Sequence, residues 1–396
     1  MRFSDVVIPL RAAWSSPFVR WQGPTADLSS LDLAARVTRR ALDDRGVDWQ
    51  ITELVLGMTV PQRESFYGAP TLAARLGFAG VSGPMIAQAC ATSVAALHAA
   101  ATNQSIENSG GARLVVTTDR TSNGPHLVYP RTSGPGGTVE SENWVLDNFG
   151  RDPNTGEGML PTAERVAADG EFSKLQLDEL TAVRYQQYQD ALAGDRAFQR
   201  KWMVPIEAGS ARRPELIEDD WGVRPTTLKE LEGLGPVSPD GVVSFGTQTH
   251  PADGTAGFIL TSPGVARERG VSGPLATVIS TGFARVARGT MPKAPVPAAR
   301  AALESAGLGY GDVHVIKTHN PFAVNDLWFA RETGTNPEQL NPYGCSLVYG
   351  HPQGPTGARA IIELMHALEE RGGGIGLFTG CAAGDTGAAV VLEVSE

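Results

Sequence analysis

The sequence predicts an α/β protein built from two similar halves with a lobe inserted between them. Buried strands alternate with helices in about the first 115 residues and again after about residue 265, while the stretch between breaks that pattern. A gapless internal repeat points the same way. Residues 41–47, with Leu54 and Val55 beyond, align on residues 302–308, with Val315 and Ile316 beyond. Each copy reads helix, glycine stop, linker, buried strand. Taken alone, a single match of this length is equally well explained by chance.

Residues 1–10 lack the long apolar core of a signal peptide and suit a short strand. Residues 31–45 carry helical periodicity and stop at Gly46, and residues 53–57 and 113–116 are short buried strands. Between them, residues 88–93 open an alanine-rich helix that runs through Ala101 and has almost no charged face, so it belongs inside the domain. From about residue 119 to 246, Pro, Gly and Asn clusters such as 132–137 alternate with charged helices such as 175–192. Most of the Arg and Trp here is expected at the surface, as in an inserted lobe rather than a second core. The expected domains are residues 1–118 with 247–264 as the N-terminal half, 119–246 as the lobe, and 265–396 as the C-terminal half.

Composition narrows the function. With 41% hydrophobic and 19% charged residues, the chain has the balance of a compact soluble protein. A net charge of −10 argues against nucleic acid or an anionic membrane as the main partner. Cys90, Cys345 and Cys381 form no C-x-x-C pair, which fits free thiols in a reducing compartment. No stretch reaches the roughly 20 apolar residues of a membrane span. The cytoplasm is the expected location.

Four segments carry candidate chemistry. Cys90 stands at a helix start, where unpaired N–H groups lower a thiol's pKa; alone, it reads better as a small core residue. In the Gly/Pro-rich run 341–359, His351 sits on a rigid exposed loop before a helix and suits a base for a thiol. Cys381, in the glycine-rich turn 380–387 between two strands, suits a proton donor and acceptor beside an oxyanion site, or simply a small turn residue. The run Lys317-Thr318-His319-Asn320-Pro321-Phe322 places polar groups at a strand end and is weak by itself.

Together these segments resemble the thiolase family in identity, order and spacing over nearly the whole chain. G-H-P-Q-G-P-T-G-A-R at 350–359 is similar to its most specific signature, and C-A-A-G-D-T-G at 381–387 to its final glycine-rich motif. Residues 158–164 resemble the opening of its substrate-binding loop domain, and residues 249–254 its pantetheine-contacting segment. The resemblance implies two βαβαβαββ halves in a five-layer αβαβα fold with an inserted loop domain. It implies an acyltransferase that cleaves 3-ketoacyl-CoA thiolytically or condenses acyl-CoAs. Coenzyme A and acyl-CoA serve as substrates, with no permanently bound cofactor, and the chain forms a homodimer or homotetramer. Cys90 becomes the acylated nucleophile, His351 its base, and Cys381 the acid/base. His319 with His351 holds the thioester oxygen, and the N–H groups of Cys90 and Ala383 form a second oxyanion hole.

The departures are specific. H-N-P-F at 319–322 replaces the usual N-E-A-F, Ala383 and Asp385 stand at usual glycine positions, Gly158 replaces a His, and His250 replaces a Gly. Met159 and Met291 match acyl-pocket positions and tilt the expectation toward short acyl groups. Thr249 and Phe322 are further substrate contacts, and Arg224 is the candidate for the CoA nucleotide, though a solvated surface arginine serves as well. Cys345, His98, His126, His314 and His366 match no role, and no metal is expected because C-x-x-C and H-x-x-x-H spacings are lacking. A ketoacyl-synthase-like condensing enzyme and a silent acyl-CoA-binding homologue are the rival readings; the second cysteine tells against the first, and retention of both cysteines with His351 against the second.

Overall fold

A computed structural model describes residues 1–46, 49–107, 110–133, 135–210 and 213–395. Val47 of the internal repeat and Gly134 of the middle glycine run lie outside the described residues. Strand β1 (Val7–Pro9) is followed by short strands β2 (Ala13–Ser15) and β3 (Val19–Arg20). Helix α1 (Ser30–Arg45) begins at Ser29, whose side chain accepts the Asp32 N–H, and ends at Gly46 with φ 61°. Strand β4 (Ile51–Gly57), helix α2 (Gly68–Leu76), strand β5 (Met85–Ile86), helix α3 (Thr92–Glu107) and strand β6 (Ala112–Arg120) complete the first alternation. Strand β6 is apolar on both faces: Val115 packs inward with α3, while Leu114 and Val116 pack outward with α1.

The middle stretch holds hairpin β7 (His126–Pro130) and β8 (Val139–Asn143), then helices α4 (Leu146–Gly150), α5 (Met159–Gly170) and α6 (Lys174–Arg200), the last broken by non-helical residues 193–196. Hairpin β9 (Ile206–Ser210) and β10 (Arg213–Ile217) and helix α7 (Leu228–Glu232) follow. Arg184 and Trp202 are exceptions to the expectation that most of its Arg and Trp face solvent, being fully buried. Arg184 pairs with Asp326 at 2.9 Å and donates to the Pro337 and Leu340 carbonyls. A cation buried this deeply requires such partners. Ala163, Val166 and Leu177 join the outer core of the C-terminal region, so these helices bury their apolar faces on it.

Strand β11 (Ala252–Leu260), helix α8 (Pro263–Glu268), strand β12 (Leu275–Arg285), helix α9 (Pro295–Ala306), strand β13 (Val315–His319) and helices α10 (Ala323–Thr333), α11 (Ser346–Tyr349) and α12 (Pro355–Glu370) come next. Strands β14 (Gly374–Ala382) and β15 (Thr386–Ser395) close the chain. One sheet has the order β2-β11-β6-β4-β5 and the other β1-β12-β15-β14-β13, with β3 beside β11. The repeat read from the sequence recurs in this topology. Helices α1 and α9 each end at a left-handed glycine, φ 61° and 76°, and the strands after them, β4 and β13, pair in parallel with β6 and β14. Strand β1 crosses over to the second sheet, with Val7 opposite Thr277 on β12.

Helices α3 and α12 lie between the sheets and share one core with both, through Val94, Ala96, Ile361 and Met365. Helices α1 and α2 cover the outer face of one sheet, and α9 and α10 that of the other. The result is the five-layer αβαβα arrangement that the resemblance implied. The central helices approach through small residues: a Cβ on Gly357 would lie 3.0 Å from the Ser93 Cβ. Among the described residues, no helix is long and apolar enough to cross a membrane.

Candidate active site

The two central helices begin side by side, and Ser93 of α3 donates its hydroxyl hydrogen to the Gly354 carbonyl just before α12. Cys90 lies two residues before α3 in a tight turn. Ala89 there has φ 44°, left-handed for a residue with a Cβ, and Thr92 secures the turn. The Thr92 hydroxyl accepts the Gln88 N–H at 2.8 Å and donates to the Ala89 carbonyl at 2.7 Å. The Cys90 sulfur sits 3.1 Å from His351 Nε2 and 3.6 Å from Gln353 Oε1. The backbone N–H groups of Ala383 and of Cys90 itself favour its thiolate form.

His351 Nδ1 lies 2.6 Å from Thr356 Oγ1. When Nε2 accepts the thiol hydrogen, Nδ1 carries the ring proton and donates it to Thr356. The His319 ring is tilted against that of His351, with centroids 4.1 Å apart. His319 Nδ1 lies 2.9 Å from Ser346 Oγ, and its Nε2 has no hydrogen-bond partner among the described residues. Gly380 makes room for this ring, since a Cβ there would come within 2.7 Å of the His319 Cβ. Cys381 is buried near the end of β14, and its sulfur accepts a hydrogen bond of 3.2 Å from Asn325 Nδ2 on α10.

Burial sets the protonation states. The helix start was expected to lower the Cys90 pKa, but desolvation outweighs it and pushes the thiol up to about 12. The Ala383 and Cys90 amides pull the other way, and the buried Asp119 carboxylate adds to the rise. Burial, with Cys90 beside it, also holds Cys381 well above its ordinary value. Burial lowers His319 to about 3, and burial together with His319 holds His351 well below its ordinary value. The thiols and imidazoles are therefore neutral near pH 7. The loop expected to be exposed is also buried, with His351 only 6% exposed.

Cys90 and His351 open onto a cavity of about 590 Å³, lined also by Gln353 and Ala383 and walled by apolar side chains, whereas His319 and Cys381 lie outside its lining. Met159, Thr249, Met291 and Phe322 all line it, as does Gly158. Arg224 does not: it is exposed and stands apart from the cavity lining. His250 also stays outside the cavity, half-buried against Gly350, and burial lowers it to about 4. Cys90, His319 and His351 are the one group of three among the described residues close enough to share a metal ion, with ligand atoms within 4.8 Å. Metal binding there would require a thiolate, which burial opposes.

Several neighbours escaped the sequence reading. Gln353 and Thr356 lie inside the G-H-P run, so the motif itself was the available signal. Asn325, Ser346 and Asp119 carried none. Asp119 accepts N–H groups from Thr59, Val60 and Gly354, each at 2.8 Å, and so fastens the His351 loop to strand β6. Asp385 has φ 59° and is buried. Its carboxylate accepts the Gly289 and Thr290 N–H groups at 3.0 Å each, and Asn154 Nδ2 at 3.3 Å.

The family model described as "Thiolase, N-terminal domain" matches residues 8–263, and "Thiolase, C-terminal domain" matches residues 272–394. An acetyl-CoA acetyltransferase of Paracoccus denitrificans is 28% identical over 388 residues, covering 96% of this chain and 98% of the relative. A beta-ketoadipyl-CoA thiolase of Pseudomonas putida is 30% identical over 395 residues, covering 96% and 97%. Among solved structures, the Bacillus anthracis acetyl-CoA acetyltransferase superimposes with a TM-score of 0.90 at 27% identity, covering 99% of each chain. Human mitochondrial 3-ketoacyl-CoA thiolase in complex with CoA gives 0.89 at 24% identity, covering 100% of this chain and 98% of that one, a likeness of fold.

Proposed function

The chain belongs to the thiolase family, and from that premise we propose that it is a coenzyme A-dependent acyltransferase that works through an acyl group on Cys90. It cleaves 3-ketoacyl-CoA thiolytically or runs the reverse Claisen condensation. Coenzyme A and acyl-CoA are its substrates, and no cofactor stays bound. One observation carries the reading: the Cys90 sulfur lies 3.1 Å from His351 Nε2, and the backbone N–H groups of Ala383 and Cys90 favour its thiolate form.

In the cleavage direction, His351 Nε2 takes the Cys90 proton as the sulfur attacks the C3 ketone of the substrate. The tetrahedral oxyanion sits between the N–H groups of Cys90 and Ala383. The C2–C3 bond then breaks, leaving the acyl group on sulfur and an enolate on the thioester oxygen. His319 and His351 hold that oxygen, and the His319 Nε2 is free to do so when the Ser346 hydroxyl donates to Nδ1. Cys381 gives the enolate carbon its proton and takes that of the incoming coenzyme A thiol in return. The coenzyme A sulfur attacks the acyl carbon, and the Cys90 sulfur leaves and recovers its proton from His351. Asn325 orients the Cys381 sulfur for this transfer.

Met159 and Met291 line the cavity together with Phe322, which supports short acyl groups. The two similar halves are residues 1–118 with 247–264 and residues 265–396, and residues 119–246 form the substrate-binding lobe. The protein works in the cytoplasm as a homodimer or homotetramer. Its β5 edge, with Met85 46% exposed and Phe66 and Tyr67 at 83% and 70%, suits pairing with a second copy, which light scattering on the purified protein tests. A condensing enzyme of the ketoacyl-synthase type is the second reading, favoured by the Cys90–His351–His319 set; the paired Cys381 weighs against it.

A panel of substrates tests the proposal: thiolysis of acetoacetyl-CoA against longer 3-ketoacyl-CoAs, with Cys90→Ala and Cys381→Ala as controls. Acetoacetyl-CoA should be cleaved and both variants should be inactive. Undiminished turnover by the Cys90→Ala protein would overturn the mechanism.

A further inference from the structure

Gln353 occupies a place that the thiolase chemistry above does not use. Its side chain is 7% exposed, lines the acyl cavity and reaches to 3.6 Å from the Cys90 sulfur. Its backbone φ is 63°, a left-handed value that favours glycine, so this long polar side chain is held in place against a steric cost. Among the described residues the Cys90 thiol is the hydrogen-bond partner of its carboxamide, and Gln353 lines the cavity into which that thiol opens.

We propose that Gln353 is a specificity-determining residue that favours acyl groups carrying a hydrogen-bonding oxygen on the carbon next to the carbonyl, such as 2-hydroxyacyl groups, over alkyl groups of equal size. This rests on Cys90 being the acylated nucleophile. Before acylation, Gln353 Oε1 shares the thiol hydrogen with His351 Nε2, accepting it when the S–H turns from the imidazole. Once the sulfur carries an acyl group, that hydrogen is gone and the carboxamide is left beside the first acyl carbons. An alkyl chain leaves it unpaired in a cavity otherwise walled by Met159, Met291 and Phe322. A hydroxyl restores both a donor and an acceptor. A site built around a polar group penalises the ligand that lacks its partner more than an apolar site penalises a hydroxyl.

The test compares acylation of Cys90 by glycolyl-CoA and propionyl-CoA, whose acyl groups differ by a hydroxyl in place of a methyl, followed by intact-protein mass spectrometry. The ratio of the two rates should exceed one in the wild type. It should fall about tenfold in Gln353→Leu, the scale of one hydrogen-bonding group in a specificity pocket. Taking the ratio across variants cancels the intrinsic reactivity of the two thioesters. Should the leucine variant fail to fold by circular dichroism, the nearly isosteric Gln353→Met carries the same expectation. A ratio equal in wild type and folded variant, or a wild-type ratio of one or less, overturns the proposal. Absence of any acyl adduct with acetyl-CoA in the wild type instead overturns the role of Cys90.

Discussion

The sulfur of Cys90 and the imidazole of His351 are poised as a neutral pair rather than an ion pair. Alkylation of the free enzyme by iodoacetamide tracks thiolate, so with Cys90 raised to about 12 its rate should climb steadily above pH 9 and show no plateau between pH 6 and 8. A plateau in that neutral window would mean that the ion pair forms without substrate. His319 makes a second prediction. Its folded value, about 3, lies below the ordinary 6.5, so on acidification the unfolded chain binds a proton that the folded chain refuses. Its contribution to stability is therefore complete above pH 6.5 and drains away as pH falls toward 3. Urea midpoints measured across that window should show a shallower fall for His319→Asn. Identical slopes would show that this ring is not the group held neutral. Cys90, His319 and His351 were legible in the sequence because motif context marks residue types. Their protonation was not, since desolvation depends on what the rest of the chain packs around them.

The turn between β14 and β15 shows what a local motif leaves out. Two carboxylates fasten it. Asp385 takes the Gly289 and Thr290 N–H groups, and Asp152 accepts the Gly384 N–H at 3.3 Å. Restoring the usual residue by Asp385→Gly should lower stability by about 1–3 kcal/mol, the cost of leaving buried donors unpaired, as read from urea unfolding. It should also reduce kcat more than it changes KM, because the Ala383 N–H is then held less firmly against the reacting sulfur. Unchanged kcat with lowered stability would make Asp385 a brace for the fold alone. The sequence marked Asp385 as a departure but could not say what it holds, because its partners lie near residues 154 and 289. Helix limits fared better, since Ser29 and Gly46 cap α1 through neighbours in the chain.

Across the whole molecule, the middle lobe is tied to the central layer by charge. Arg359 on α12 meets Asp220 through two contacts of 2.5 and 2.7 Å, and its guanidinium lies 3.6 Å from the centre of the Tyr349 ring. Replacing Arg359 with Leu leaves the buried Asp220 carboxylate without this cation, held by the Phe18 N–H and the Tyr188 hydroxyl, and removes the bond to Glu363. It should cost about 3–5 kcal/mol, measured as a lowered urea midpoint. A loss below about 1 kcal/mol would mean that the pair is solvated and contributes like a surface bridge. The five layers followed from family motifs and the helix–strand repeat, whereas the lobe's buried Arg184 and Trp202 did not, because composition reports how polar a segment is and not what it is pressed against. Strand β1 has a consequence for biogenesis. Translation makes this strand well ahead of its partner β12, which emerges only after the strands of the first sheet and the middle stretch. Residues 7–9 must wait for that partner. A fragment beginning after the lobe would leave one border of β12 bare, and such fragments should clump until a peptide bearing residues 1–12 is supplied to cover it.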